Sequence, residues 1–551
     1  VDGFVDPLLL RDGGPHQFVR QIERLLWHQG FTDVTNVDGS GDGGGDILAG
    51  YRGHDWVVQC KWKARGAVSA HVVDETAAAC DLYRALRAAV VTNTRFSADA
   101  IRRAERLNAL GYRIHLWSGS DIAALFKEVP ESLGTLTLRD YQRHAVQRVL
   151  ADLDEAGRAL LILATGLGKT VVGGEVIADH LRRHPSDKVL VAAHTKDLVQ
   201  QLERAMWRHL PKSVPTRLLT GDERPDHLPG VTCATLGSAV RVSRLGYSPA
   251  LVMVDEAHHV AEGGQYDELL RTHDKALQFG VTATPWRGDE YDISARFGKA
   301  SHTLGIEQGM ARGYLAQVDY RLFVDNIDWE VVRAASQHSY SLAELNATLF
   351  LPHRDEAVRD ELADAWGRVI EPRAIVFCRT VEHSERMADL LRRAPRWSGA
   401  LAVHAALNKR ERLSRLLDFR AGRVPILTAV DILNEGVDVP DVNILCFARV
   451  THSRRIFVQQ LGRGLRLREG KDRVLVLDFV SDLRRVAAAL RIKRVLAEEV
   501  EELGEHVTST VSFTDQAAGN LMEEWIRDAA DVETAYDESR LQFPSTEPLR
   551  E

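Results

Sequence analysis

The sequence predicts an α/β fold of several domains. Three observations carry this: the length, an alternation of apolar strands with helical stretches that occurs twice, and an N-terminal segment of different pattern. At 551 residues the chain is too long for one core. Between about 136 and 305, strands at 159–163, 189–193, 251–254 and 278–281 alternate with helical stretches. Apolar runs of this kind belong to a parallel sheet covered by helices. The alternation returns over 368–482, with strands at 374–378, 426–428, 444–447 and 474–477. Residues 1–130 begin instead with a helix whose Phe18, Ile22, Leu25 and Leu26 share helical spacing. A Gly/Asp-rich turn at 39–46 follows, then strands at 47–51 and 56–62 and short buried strands at 89–91 and 114–116. The stretch 306–367 reads as a connector with helices. The end, 483–551, reads as a helical tail, basic first (Arg484, Arg485, Arg491) and acidic later (Glu498, Glu499, Glu501).

Composition narrows the function. The net charge of −8 excludes a chain coated in basic surface, so nucleic-acid contact must come from local grooves. The five cysteines (Cys60, Cys80, Cys233, Cys378, Cys446) form no CxxC pair, which argues against a zinc site or a disulfide framework. A reducing cytoplasm fits. No apolar run reaches spanning length, and the first residues carry no secretory pattern, so no membrane association is expected.

Two groups of residues carry chemistry. Ala164-Thr165-Gly166-Leu167-Gly168-Lys169-Thr170 follows the apolar strand 160–163. A Gly-rich turn between strand and helix lets backbone N–H groups wrap phosphate oxygens. Lys169 reaches the β/γ-phosphates and the Thr170 hydroxyl ligates Mg2+. Leu163 stands where the generic pattern asks for Gly. A second apolar strand, 251–254, ends in Asp255-Glu256-Ala257-His258. There Asp255 can hold the Mg2+ shell and Glu256 can orient and deprotonate the attacking water. Arg463 and Arg466, three apart, share a helix face and can stabilise charge on the γ-phosphate.

The other group is N-terminal. Asp46 opens one strand, and Gln59 and Lys61 lie two apart on its hairpin partner, hence on one face. Asp46 can bind Mg2+, Lys61 can orient water and stabilise the charge on phosphorus, and Glu23 on the preceding helix can add an oxygen ligand. Asp42 and Lys63 read as turn and surface residues, and Trp56 and Trp62 as packing.

Residues 136–482 resemble the DEAH-box-like superfamily-two helicases and translocases, which implies two tandem RecA-like domains, ATP as substrate and DNA as partner. By that resemblance Arg139 and Gln142 read adenine and 194–198 touches the nucleic-acid backbone. His258 and Thr282-Ala283-Thr284-Pro285 link the ATP site to domain movement. Thr428 with Gly436 and Asp438 bridges ATP and nucleic acid, and Gln459 opens the final motif with Arg463 and Arg466. Residues 14–128 resemble Mrr-like restriction endonucleases of the PD-(D/E)xK superfamily, on Glu23, Asp46, Gln59-x-Lys61, 89–93 and Phe96-Ser97. That implies a restriction-endonuclease-like αβ domain and Mg2+-dependent cutting of DNA, with Gln59 in place of the usual acid. The combination implies a prokaryotic defence enzyme. Two rivals stay open: a repair helicase whose N-terminal domain binds without cutting, and a nucleic-acid-triggered ATPase switch that recruits effectors. Whether a protein partner selects the target also stays open.

Overall fold

The computed structural model describes residues 3–37, 44–132, 136–283, 293–323, 341–349, 355–430, 442–448, 464–465, 467, 471, 473–480, 482–503, 509–514, 520, 523 and 532. Internal contacts group them into two units. The first covers the described residues up to 161, 170–282 and 293–302; the second holds 162–169, 283 and the described residues from 303 onward.

The N-terminal domain is built on one sheet of β1 (Thr32–Asn36), β2 (Ile47–Tyr51), β3 (His54–Lys61), β5 (Arg87–Thr92) and β7 (Arg113–Trp117), in the order β1-β2-β3-β5-β7. The ribbon β4 (Ala67–Val68) and β6 (Arg95–Phe96) lies apart. β1, β2 and β3 are antiparallel, whereas β5 and β7 join in parallel. Helices α1 (Pro7–Arg11) and α2 (Gly14–His28) precede the sheet, α3 (Ala70–Tyr83) and α4 (Ala98–Ala109) separate its later strands, and α5 (Gly119–Glu128) closes it.

Strand alternation divides the core. Trp56, Val58 and Cys60 of β3 pack with Phe18, Ile22, Leu25 and Leu26 of α2. Val57 faces the other way, into a cluster with Val72, Val73 and Ala77 of α3 and Ala100 and Ala104 of α4. Gln59 and Lys61 share the parity of Val57, so they belong to the α3 face.

His28 ends α2 at 4% exposure, and neither ring nitrogen has a hydrogen-bond partner. Burial, then the positive charges of Arg24 and Lys212, push its pKa down to about 4. The neutral ring therefore favours the folded state. That contribution is full above the unfolded value near 6.5 and is lost as pH falls towards the folded one. Lowering pH from 7 to 5 should cost about 2 kcal/mol from this group. Urea unfolding of the wild type and of His28→Leu at both pH values checks this, because the variant should lack that share of the acid sensitivity.

The first large sheet contains β8 (Arg158–Leu163), β9 (Val189–Ala193), β10 (Thr216–Leu219), β11 (Val231–Thr235), β12 (Leu251–Asp255), β13 (Leu277–Thr282) and β14 (Ala300–Leu304). Their order is β10-β11-β9-β12-β13-β8-β14, and the pairs from β10 through β13 are parallel. Three of its helices matter below: α6 (Asp140–Ala156), α7 (Lys169–Arg183) and α8 (Lys196–Met206).

The second large sheet is parallel throughout, in the order β17-β18-β16-β19-β20-β15-β21. Its strands are β15 (Gln317–Phe323), β16 (Ala374–Phe377), β17 (Leu401–Val403), β18 (Ile426–Ala429), β19 (Ile444–Ala448), β20 (Arg473–Phe479) and β21 (Thr510–Phe513). Two expectations are corrected here. The stretch 306–367 is not only a helical connector, because it supplies β15; the tail is not only helical, because β21 pairs with β15. β15 is held from within: Tyr320 donates to Asp478 Oδ2 at 2.5 Å, and Arg485 Nη2 meets the same oxygen at 2.6 Å. All three are buried, so the two charges compensate each other.

Candidate nuclease and nucleotide sites

The N-terminal site forms where β2 leaves its turn and β3 ends. Asp46 is 7% exposed, and its Oδ2 accepts from the Cys60 backbone N–H at 2.5 Å. That bond sets its carboxylate beside the strand segment between Gln59 and Lys61. With its amide turned to suit its neighbours, Gln59 donates to the Gly44 carbonyl and accepts from Lys61 Nζ at 2.8 Å. Asp46, Gln59 and Lys61 are thus brought together. Gly44 is required: its φ is +92°, and a Cβ there would lie 2.9 Å from the Glu75 backbone oxygen.

Glu75 is the residue that motif reading missed. It sits on α3 with its Oε2 3.4 Å from Lys61 Nζ, both side chains about one-third exposed. Its signal was present: Glu75 shares the inward stripe of α3 with Val72, Thr76 and Ala79, an unusual place for a carboxylate. Asp46, Gln59 and Glu75 offer only oxygen donors, the set a hard divalent cation takes. Among the described residues no group of three His, Cys, Asp or Glu side chains could hold a metal. The fit therefore depends on few acidic ligands.

Glu23 is not brought to this site. It lies on α2, which packs on the opposite face of the sheet. It is 1% exposed, and both carboxylate oxygens are engaged by Arg204 of α8, at 2.6 Å from Nε and 3.1 Å from Nη2. Its expected role as a further oxygen ligand is therefore corrected. The helical periodicity that placed Glu23 near Ile22 could not tell which face of the sheet the helix covers.

In the phosphate-binding segment, Gly166 and Gly168 have φ of +92° and +86°, conformations open to glycine. The turn is pinned by Ala164 N–H to the Leu304 carbonyl at 3.0 Å and by Leu167 N–H to the Ala164 carbonyl at 3.1 Å. Leu167 is fully buried, whereas Thr165, Gly166, Gly168, Lys169 and Thr170 remain partly open. Lys169 and Thr170 open α7, where unsatisfied helix N–H groups favour an anion. Two left-handed glycines, a helix start and an accessible Lys-Thr pair fit a nucleotide's phosphates. Thr170 offers a hydroxyl for Mg2+.

Asp255 ends β12 and Glu256 follows it, at 7% and 8% exposure. Glu256 takes a φ of +51°, which costs about 1 kcal/mol or more for a residue with a Cβ. His258 lies 3.3 Å from Glu256 Oε2 and 2.9 Å from Thr282 Oγ1. It therefore connects the acidic motif with the first residue of 282–285. Gln142 is buried and accepts from the Arg139 backbone N–H at 3.0 Å, capping α6, while Arg139 itself is exposed. Thr195 caps α8 by accepting from Leu198 N–H at 3.2 Å. Gly436, Asp438, Gln459, Arg463, Arg466, Thr284 and Pro285 lie outside the described residues.

Comparison with known families agrees with this division. The family model "Restriction endonuclease" of the Mrr catalytic type matches 10–126. "Type III restriction enzyme, res subunit" matches 135–287, and "Helicase conserved C-terminal domain" matches 355–468. The Schizosaccharomyces pombe protein named "Putative mitochondrial ATP-dependent helicase irc3" is 32% identical, over 64% of this chain and 59% of its own length. The "Type I restriction enzyme EcoAI endonuclease subunit" of Escherichia coli is 23% identical, over 62% and 46%. The chain thus spans less than two thirds of either relative. The solved structure "ATP-dependent Type ISP restriction-modification enzyme LlaBIII bound to DNA" aligns with TM-score 0.53 at 17% identity, covering 93% of this chain and 41% of that one, a likeness of fold. Among the described residues no helix is long and apolar enough to cross a membrane. The chain therefore joins an Mrr-type restriction endonuclease domain to the core of a superfamily-two helicase.

Proposed function

We propose that the chain is an ATP-driven DNA translocase or helicase that carries a Mg2+-dependent DNA endonuclease and serves prokaryotic anti-phage defence. The observation that carries the reading is the Asp46–Gln59–Lys61 constellation on the same chain as the Lys169 loop and the Asp255-Glu256 motif. The proposed boundaries are 1–130 for the nuclease, 136–305 for the first RecA-like domain and 368–482 for the second, which also takes in β15 from the stretch 306–367 and β21 from the stretch 483–551.

Lys169 balances phosphate charge on ATP, Glu256 holds the water that attacks phosphorus, and Arg463 and Arg466 meet the charge that develops. Arg139 and Gln142 take the base, while Gly436, Asp438 and Gln459 relate nucleotide to DNA. Mg2+, held by Thr170 and Asp255 in one site and by Asp46 in the other, supplies Lewis-acid charge when bound. In the nuclease, Lys61 orients water and stabilises negative charge on the scissile phosphate. Backbone contacts dominate such a motor, so its grip is nearly blind to sequence.

One observation favours a rival in which the N-terminal domain binds DNA without cutting: Gln59 stands where an acid would strengthen metal binding. Purified chain with Mg2+, ATP and defined duplex, forked and single-stranded DNA separates the readings. The proposal expects ATP hydrolysis stimulated by DNA together with strand scission. Stimulated hydrolysis with intact DNA supports the rival.

A further inference from the structure

Helix α8 joins two places that matter. Its N-terminus, at Thr195 and Lys196, is the segment that by resemblance touches the DNA backbone. Its last turn carries Glu203 and Arg204, which reach out of the first large sheet to helix α2 of the N-terminal domain. Arg204 pairs with Glu23 through an ion-pair contact at Nε and a hydrogen bond from Nη2. Arg20, 3% exposed, gives Nε to Glu203 Oε2 at 2.8 Å and its two terminal nitrogens to Glu223. Glu203 is fixed in turn by the Thr216 hydroxyl at 3.0 Å, and Thr216 accepts from Trp207 Nε1 at 3.0 Å. Arg20, Glu23, Glu203 and Glu223 are almost fully buried, so each of these charges depends on its partner, whereas the Arg204 side chain is 32% exposed.

The far side of α2 explains what the ladder does. α2 lies against Trp56, Val58 and Cys60, and the residues that alternate with these on β3 are Gln59 and Lys61. The helix gripped by Arg204 is therefore the backing of the strand that presents the candidate nuclease residues.

We propose that Arg204 is a positioning residue of the nuclease, supplied by the motor domain, which sets the Gln59–Lys61 strand by clamping α2 from behind. This rests on the nuclease reading above. Such support acts on geometry, and small displacements of reacting groups cost rate steeply. Arg204 has no role in the phosphate loop or the acidic motif, so ATP hydrolysis should not depend on it.

The test uses the full chain and three readouts: DNA-stimulated ATP hydrolysis, steady-state DNA cleavage, and hydrogen exchange over residues 14–28. In Arg204→Ala, hydrolysis should stay within about twofold of wild type. The kcat of cleavage should fall at least about tenfold with KM for DNA nearly unchanged, and exchange over 14–28 should rise. Arg204→Lys keeps the charge but loses the planar guanidinium, and should recover only part of the lost cleavage. It also serves if the alanine variant does not fold. Wild-type kcat in Arg204→Ala, or unchanged exchange over 14–28, overturns the proposal. A wild-type chain that cuts no DNA sinks the nuclease reading instead, and the exchange measurement still decides whether Arg204 clamps α2.

Discussion

Lys169→Ala is expected to lower DNA-stimulated ATP hydrolysis at least about 100-fold, equivalent to about 2.7 kcal/mol of transition-state stabilisation. The lysine stands at the start of α7, partly open, behind two glycines whose left-handed backbones shape the turn. Its charge is what a polyphosphate meets there, and neither Thr165 nor Thr170 can replace it. The fold should persist, because the turn is held by backbone bonds from Ala164 and Leu167 and by the buried Leu167 side chain. If cutting is driven by the motor, DNA cleavage falls in the same variant. A coupled phosphate-release assay with and without DNA measures the first effect, and gel analysis of the same mixtures the second. Hydrolysis within about threefold of wild type would place the nucleotide's phosphates elsewhere.

Lys61→Ala should do the reverse. Cleavage is expected to drop at least about 1000-fold while DNA-stimulated hydrolysis stays near wild type. Lys61 reaches both Gln59 and Glu75. Removing it takes away the charge that Lys61 would place on the scissile phosphate. Stability should change little, because the side chain is one-third exposed and its ion pair with Glu75 is a surface one, worth about 1 kcal/mol or less. The backbone of β3 continues to pair with β2 and β5. Full cleavage in Lys61→Ala would refute the nuclease assignment, and equal loss of hydrolysis and cleavage would point to misfolding instead.

Much of this fold was legible because parallel strands buried on both faces write themselves as apolar runs. β9 and β12 are such runs, and every residue in them is buried. β10 and β15 escaped the same test because charge interrupts them. Arg217 lies inside β10 at 0% exposure, neutralised at 2.5 Å by Asp12, the residue that follows α1. A partner 205 residues away is invisible to any local pattern. In β15, Asp319 and Arg321 pair along one face at 2.7 Å, while Val318, Tyr320 and Leu322 on the other fill the core.

The sites divide in the same way. Gly166, Gly168 and Lys169 are contiguous, and their conformation follows from local sterics. Asp46, Gln59 and Lys61 meet because a hairpin brings neighbours together, which strand parity anticipates. Glu75 and Glu23 depended on which face each helix covers. That choice put a carboxylate beside Lys61 from α3 and sent the α2 carboxylate to Arg204.

The most direct measurement is cleavage of closed circular duplex DNA by the wild-type chain in Mg2+, with ATP or with a non-hydrolysable analogue. An ATP-powered motor bearing a nuclease predicts linear or nicked product with ATP and at least about tenfold less with the analogue. DNA left intact under both conditions, or cut equally in both, would contradict it.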